Sequence, residues 1–229
     1  GLVGSEMCIR DRFATLILTF SRGCWIGFMI TAGLFVTFVC GKIWGLALIA
    51  LPFLPMVLPE SIINRIASVG DMKDSSTSYR VYIWYGSLAM VKDFWASGIG
   101  PGTQAFKSVY PFYSYSGIVA PHSHNMFLQI LVESGIVGIG VFLTTIVMFF
   151  KKLINGYQST SGKGSKLGAM IVAIGAGVAG FCVQGMFDNC FYNYRVFLIF
   201  WIVLALGIAA VYIAKGEKEE SAVKAVEEE

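Results

Sequence analysis

Two histidines stand two residues apart in Pro121-His122-Ser123-His124-Asn125, and the chain holds no others. An imidazole titrates near neutral pH, so either ring suits general acid or base work. A long apolar stretch begins directly after Asn125, which sets both rings at the mouth of whatever that stretch forms. Zinc fits poorly, because it takes three or four protein ligands and the five cysteines include no C-x-x-C pair. Capping of loop carbonyls by the imidazoles is the plainer reading and would leave the same trace.

Three arginines and two acids could work beside them. Arg22 lies between a short apolar stub and a full apolar stretch, and Arg195 opens the last such stretch. Cations at those positions either serve a site or snorkel to headgroups. Arg80 falls in the first turn of an expected helix, where an anion would meet both a guanidinium and the positive helix end. Glu133 is the sole charge within residues 126–150, and Asp188 sits between the last two apolar stretches. Gly98-Ile99-Gly100-Pro101-Gly102-Thr103 either approaches a ligand's oxygens with its backbone or simply ends a helix. It is not a P-loop, since no Lys-Ser/Thr follows.

The elements that must hold these residues are membrane helices. Of the 229 residues 56% are hydrophobic and 14% charged, and mean hydropathy is +0.70. A soluble domain carries about 25% charge, so an ordinary water-facing surface is excluded. The net charge of +3 is too small and scattered for a nucleic-acid footprint. Residues 24–40, 43–58, 126–150, 167–187 and 196–214 each approach the ~20 residues needed to cross a bilayer. The expectation is an all-α integral membrane protein, a polytopic bundle of five full spans plus a truncated first span at residues 13–20. Residues 1–12, with four charges and no signal-peptide pattern, read as a non-native, gene-assembly-scar prefix. Domain order is then 1–12 prefix, 13–58 stub and two spans, 59–125 external loop, 126–214 three spans, and 215–229 charged cytoplasmic tail.

Short loops rich in Lys and Arg stay cytoplasmic. Lys151, Lys152, Lys163 and Lys166 share one connection, and the tail holds three lysines with six glutamates. Alternation then sets Lys42 inside and Arg22, Asp188, Arg195 and the loop 59–124 outside. Within that loop Ser75-Ser76-Thr77-Ser78 offers N-caps. Arg80, Trp84, Leu88, Val91 and Trp95 follow at helical spacing, a stripe suited to the membrane surface or to capping the bundle. Glycines near 135–140 and 175–180 suit close helix packing in lipid.

Taken together, these residues resemble the O-antigen ligase family. His124-Asn125, nine residues, Gly135, two residues and Gly138 match its histidine motif. Leu-Thr-Phe-Ser-Arg-Gly at Leu18 to Gly23 is similar to its arginine motif, and Tyr79-Arg80 with Trp84 and the glycine loop to its large external loop. Phe187-Asp188-Asn189-x-Phe191 is similar to its penultimate outer turn. Family members have more spans, so the likeness is to their C-terminal half. Trp84 stands where ligases often carry leucine, which leaves ligation and polymerisation both open.

The resemblance implies a metal-independent, inverting glycosyltransferase of the C type in the bacterial cytoplasmic (inner) membrane, with its site facing outward and no cofactor. Its donor would be an undecaprenyl-diphosphate-linked oligosaccharide and its acceptor a glycan or lipid hydroxyl, with membrane lipids around it and no nucleic acid. His124 and Arg80 are the catalytic candidates, and Arg22, Arg80 and Arg195 those for the donor diphosphate. His122, Asn125, Gly100, Gly102, Glu133, Gly135, Gly138 and Asp188 support them. A flippase for the same lipid-linked sugars, or a non-catalytic fragment, is the alternative. A flippase calls for ionisable groups near the midplane, and here Glu133 is the main one.

Overall fold

A computed structural model describes residues 2–45, 60–67, 73–160 and 165–227. Every regular element among them is helical. In chain order these are α1 (Leu2–Leu18), α2 (Arg22–Val39), α3 (Glu60–Ala67), α4 (Ser75–Phe94), α5 (Thr103–Val109), α6 (Met126–Ser159), α7 (Lys166–Gly185) and α8 (Tyr194–Glu227). Among the described residues four helices are long and apolar enough to cross a membrane: α2, α6, α7 and α8 over Tyr194–Lys218. The span expected at residues 43–58 lies, beyond Gly45, outside the described residues. α1 is one uninterrupted helix that takes in both the charged prefix and the apolar stub, and α8 runs on into the charged tail.

Helix starts follow local chemistry. Ser21, Asp74, Asn125 and Ser165 cap α2, α4, α6 and α7, each side chain accepting an N–H from the first turn. At α4 the cap is Asp74, one residue ahead of the Ser/Thr run, which itself forms the first turn. A carboxylate there accepts from Thr77 N–H at 3.0 Å and from Thr77 Oγ1 at 3.0 Å, and its charge suits the helix N-terminus.

Two cores result. In the bundle, Phe142 and Phe149 of α6, Ile171 and Val178 of α7, and Phe200 and Leu204 of α8 are buried together. α2 joins along α7, where a Cβ on Gly27 would stand 2.7 Å from the Gly180 carbonyl and Thr31 Oγ1 donates to the Ala176 carbonyl at 3.2 Å. Small residues thus bring the backbones close, as expected in lipid. The second core lies in the segment between α3 and α6, where Ile83, Met90, Phe106, Tyr110 and Ala120 pack with Val132 of α6. We call that segment the cap.

Within the cap the buried face of α4 is Ile83, Gly86, Ser87 and Met90. The expected stripe is rotated from it: Leu88 and Trp95 are exposed. Small residues decide the rotation, since a Cβ on Gly86 would meet the Tyr110 ring at 2.9 Å. A large side chain on that face would push Tyr110 off the helix. Trp84 and Leu88 instead wall an apolar groove of about 370 Å³ with Leu131, Ile139 and Leu143 of α6.

α6 is broken at Gly135, whose φ of 64° and ψ of −166° leave the helical region. The glycine loop after α4 fills the break. Ile99 N–H donates to the Val132 carbonyl at 2.9 Å, Gly100 N–H to the Glu133 carbonyl at 3.0 Å, and Ile136 N–H to the Trp95 carbonyl at 2.8 Å. The helix therefore loses its own ladder locally and regains the bonds from the loop, as buried backbone requires. A Cβ on Gly98 would strike the Glu133 carbonyl and one on Gly135 the Ala96 carbonyl. The two glycines let the chains interlock.

Candidate functional site

Ends of four helices converge around the turn 121–125: the N-termini of α2, α4 and α6 and the C-terminus of α7. Asn125 fastens the turn twice. Its Oδ1 accepts Leu128 N–H at 2.9 Å, and its Nδ2 donates to the Met186 carbonyl at the end of α7 at 3.0 Å. His124 then adopts a left-handed φ of 50°, a conformation that costs an L-residue roughly 1–2 kcal/mol and gathers at functional sites.

That turn points the His124 ring at Asp188, with Nδ1 and Oδ1 3.1 Å apart. Burial pushes the Asp188 carboxyl up. The hydrogen bond and charge of His124, the Asn189 N–H and the charge of Arg80 outweigh this, and the net direction is down. Asp188 is thus held ionised beside His124. The His122 ring lies 4.2 Å from that of His124 and 4.8 Å from that of Tyr192, centroid to centroid. Only 8% exposed, His122 is pushed down to about 4 by burial and then by the His124 charge, against the pull of Asp188. It is a neutral packing ring at neutral pH, and its Nδ1 accepts the His124 N–H at 3.2 Å. The two histidines have different work.

Arg80 reaches the same place from α4. Its neighbour Tyr79 meets the His124 ring edge-on, 5.8 Å between centroids, and donates its hydroxyl to the Val119 carbonyl at 2.9 Å. The Arg80 guanidinium is half-buried and makes no hydrogen bond or ion pair among the described residues, while its charge acts on Asp188. An unpaired cation thus stands near a hydrogen-bonded imidazole–carboxylate pair.

Arg22 is differently employed. It is 9% exposed, and its Nη2 donates to Asp74 Oδ2 at 2.5 Å and to Thr77 Oγ1 at 3.1 Å. Asp74 therefore caps α4 and clamps α2 to it with one carboxylate. The Arg22 guanidinium holds that carboxyl at about 2, well below the usual 3.8. Asp74→Ala is expected to lower the melting temperature in detergent more than Asp74→Asn, which keeps a capping oxygen. Because the folded-state value is depressed, the clamp's stabilisation is complete above 3.8 and fades as pH falls toward about 2. Melting of the wild type and Asp74→Asn across that range should therefore converge only at the acid end.

The remaining expected residues spread out. Arg195 is exposed, and its side chain makes no hydrogen bond or ion pair among the described residues. Gly100 and Gly102 lie in the loop docked on α6, with φ of 97° and 101°, and the Gly100 N–H is spent on the Glu133 carbonyl rather than left for a ligand. At Gly138, in the first turn beyond the break, a Cβ would run into the Ser134 side chain. Glu133 accepts Gln129 Nε2 at 2.8 Å on its own helix. For a metal ion, His122, His124 and Asp188 offer ligand atoms within 4.8 Å of one another. In this structure the Nδ1 atoms of both rings are engaged in the protein's own hydrogen bonds. Tyr79 entered the sequence reading only beside Arg80; Asp74, Gln129 and Tyr192 escaped it. Only Asp74 carried a signal, as a capping acid ahead of a Ser/Thr run.

Comparison with curated proteins and with solved structures finds no match. A family model described as O-antigen ligase, Wzy_C, matches residues 13–143, more than half of the 229. Arg22, Arg80, His124, Asn125 and Gly135 fall inside the match, and Asp188 falls beyond it. With the histidine turn, the arginine-bearing cap helix and the spanning helices in one assembly, that match shows that the chain belongs to the O-antigen ligase family.

Proposed function

We propose that this membrane protein transfers or polymerises glycan from an undecaprenyl-diphosphate-linked donor onto a hydroxyl acceptor, at the outer face of the cytoplasmic membrane. The observation that carries the reading is the Arg80 guanidinium, unpaired among the described residues, near the His124–Asp188 pair. With its proton on Nδ1 and shared with Asp188, His124 keeps the Nε2 lone pair free to take a proton. The acceptor hydroxyl gives up that proton as its oxygen bonds the anomeric carbon. On the opposite face the bond to the diphosphate oxygen breaks, and the lipid diphosphate leaves with the electron pair. Attack opposite to departure inverts the anomeric centre. Arg80 meets the charge that grows on the leaving oxygens, where a guanidinium fork is strongest. Arg22 acts through Asp74, holding the start of α4 and so the reach of Arg80.

The test supplies the purified chain in lipid with polyprenyl-diphosphate oligosaccharide and candidate acceptors. Release of polyprenyl diphosphate together with a new glycan–acceptor bond is expected, and chain length of the product separates ligation from polymerisation. His124→Ala should lose the reaction, and a chelator should leave it unchanged. Movement of the intact donor across the bilayer with no bond made would replace the enzyme by a flippase.

A further inference from the structure

Beneath the histidine turn lies a pair, the buried Gln129 and the half-buried Glu133, that the reaction scheme does not use. Gln129 is 4% exposed and sits on α6 one turn past the Asn125 cap. Its Oε1 accepts the Ser123 N–H at 2.7 Å, and its Nε2 donates to Glu133 Oε1 at 2.8 Å. The amide can face only one way. Reversed, it would set an NH₂ against the Ser123 N–H and a carbonyl against the Glu133 carboxylate.

Ser123 is the residue between the two histidines. It is fully buried, and its Oγ donates to the Asn125 carbonyl at 2.8 Å. Together these bonds tie down the His122–Ser123 and Asn125–Met126 peptides, which bracket the turn around His124, the residue held in the left-handed region. Glu133 belongs to the interlock as well, since its carbonyl accepts the Gly100 N–H. A single line of hydrogen bonds thus runs from the glycine loop, through Glu133 and Gln129, to the turn that aims His124.

We propose that Gln129 and Glu133 form a positioning relay for His124, and that Glu133 bears on transfer only through the Gln129 amide, not as a second acid or base. The inference rests on the proposed function for its kinetic readout, and it has a second readout that does not. Gln129→Leu is expected to lower kcat up to about a hundredfold with KM little changed, the scale of a misplaced reacting group. Glu133→Gln keeps an oxygen that can accept from Gln129 and should retain most of the activity. The exchange Gln129→Glu with Glu133→Gln rebuilds both bonds, with the carboxylate accepting from Ser123 and the amide donating to it. It should recover kcat over Gln129→Glu alone, where two carboxylates face each other.

The second readout is the rate at which diethyl pyrocarbonate modifies His124, followed by mass spectrometry without substrate. Gln129→Leu should change that rate and the exchange should bring it back. If Gln129→Leu leaves the modification rate at the wild-type value, or Glu133→Gln abolishes transfer as an essential acid would, the relay is overturned. A wild-type chain that transfers nothing, while the modification rates follow the pattern, would sink the proposed function and leave the relay standing.

Discussion

Arg80→Ala should lower kcat for glycan transfer by about 10²–10³, the usual loss when one donor to a developing anion is removed. The size follows from how little else is available. Arg22 is spent on Asp74, and Arg195 is exposed. Arg80→Lys should recover only part, since an ammonium keeps the charge but not the planar fork. The split between constants is informative. A contact made only as the diphosphate departs lowers kcat, whereas one made equally to the resting donor raises KM. Steady-state kinetics with the lipid-linked donor measure both, and an Arg80→Ala protein with wild-type kcat would end the assignment. Arg22→Ala should differ in kind, with a lower melting temperature ahead of any specific loss of catalysis.

The largest effect on stability is expected at the interlock. Gly135 has a φ/ψ pair that is essentially restricted to glycine, and forcing another residue into it costs of the order of 1–3 kcal/mol. A Cβ there also meets the Ala96 carbonyl, and one on Gly98 meets the Glu133 carbonyl. Backbone cannot step aside as a flexible side chain can. Gly135→Ala and Gly98→Ala should each destabilise the protein by about 3 kcal/mol or more. The double variant should lose less than the sum, because both changes break one contact surface. Gly140→Ala is the matched control: it lies on the same helix with open space around it, and alanine there favours the helix. Melting of the four proteins in one detergent gives the comparison.

How far the sequence could be read depended on chain distance. Spans show as apolar runs, so the helices at Arg22–Val39, Met126–Ser159, Lys166–Gly185 and Tyr194–Lys218 follow the expected stretches, except that α6 runs on past residue 150 and carries Lys151 and Lys152, which were expected in the connection. The start of α4 was legible to within a residue because capping is local. The partners of the charged groups were not, since Arg22 meets Asp74 across 52 residues and His124 meets Asp188 across 64. Asp188 was singled out, but nothing in the spacing said what it touches. The glycine loop shows the limit most plainly. Its composition spoke of close approach and could not tell a ligand's oxygens from the carbonyls of a broken helix. For α4, two stripes share the helical period, and the choice between them fell to Tyr110, which no periodicity reveals.

The break at Gly135 also bears on the protein's cooperativity. Before it, Val132 belongs to the cap core and Met126 to the bundle core; after it, Ile139 belongs to the bundle core. A continuous helix would transmit unfolding from one to the other. Here the joint is a peptide whose bonds come from the loop. Proteins open in contiguous units with their own free energies, so amide exchange in α6 need not be uniform along its length. The half bearing Gln129 is tied to both cores, through Val132 and Met126, whereas the half bearing Phe142 follows the bundle alone.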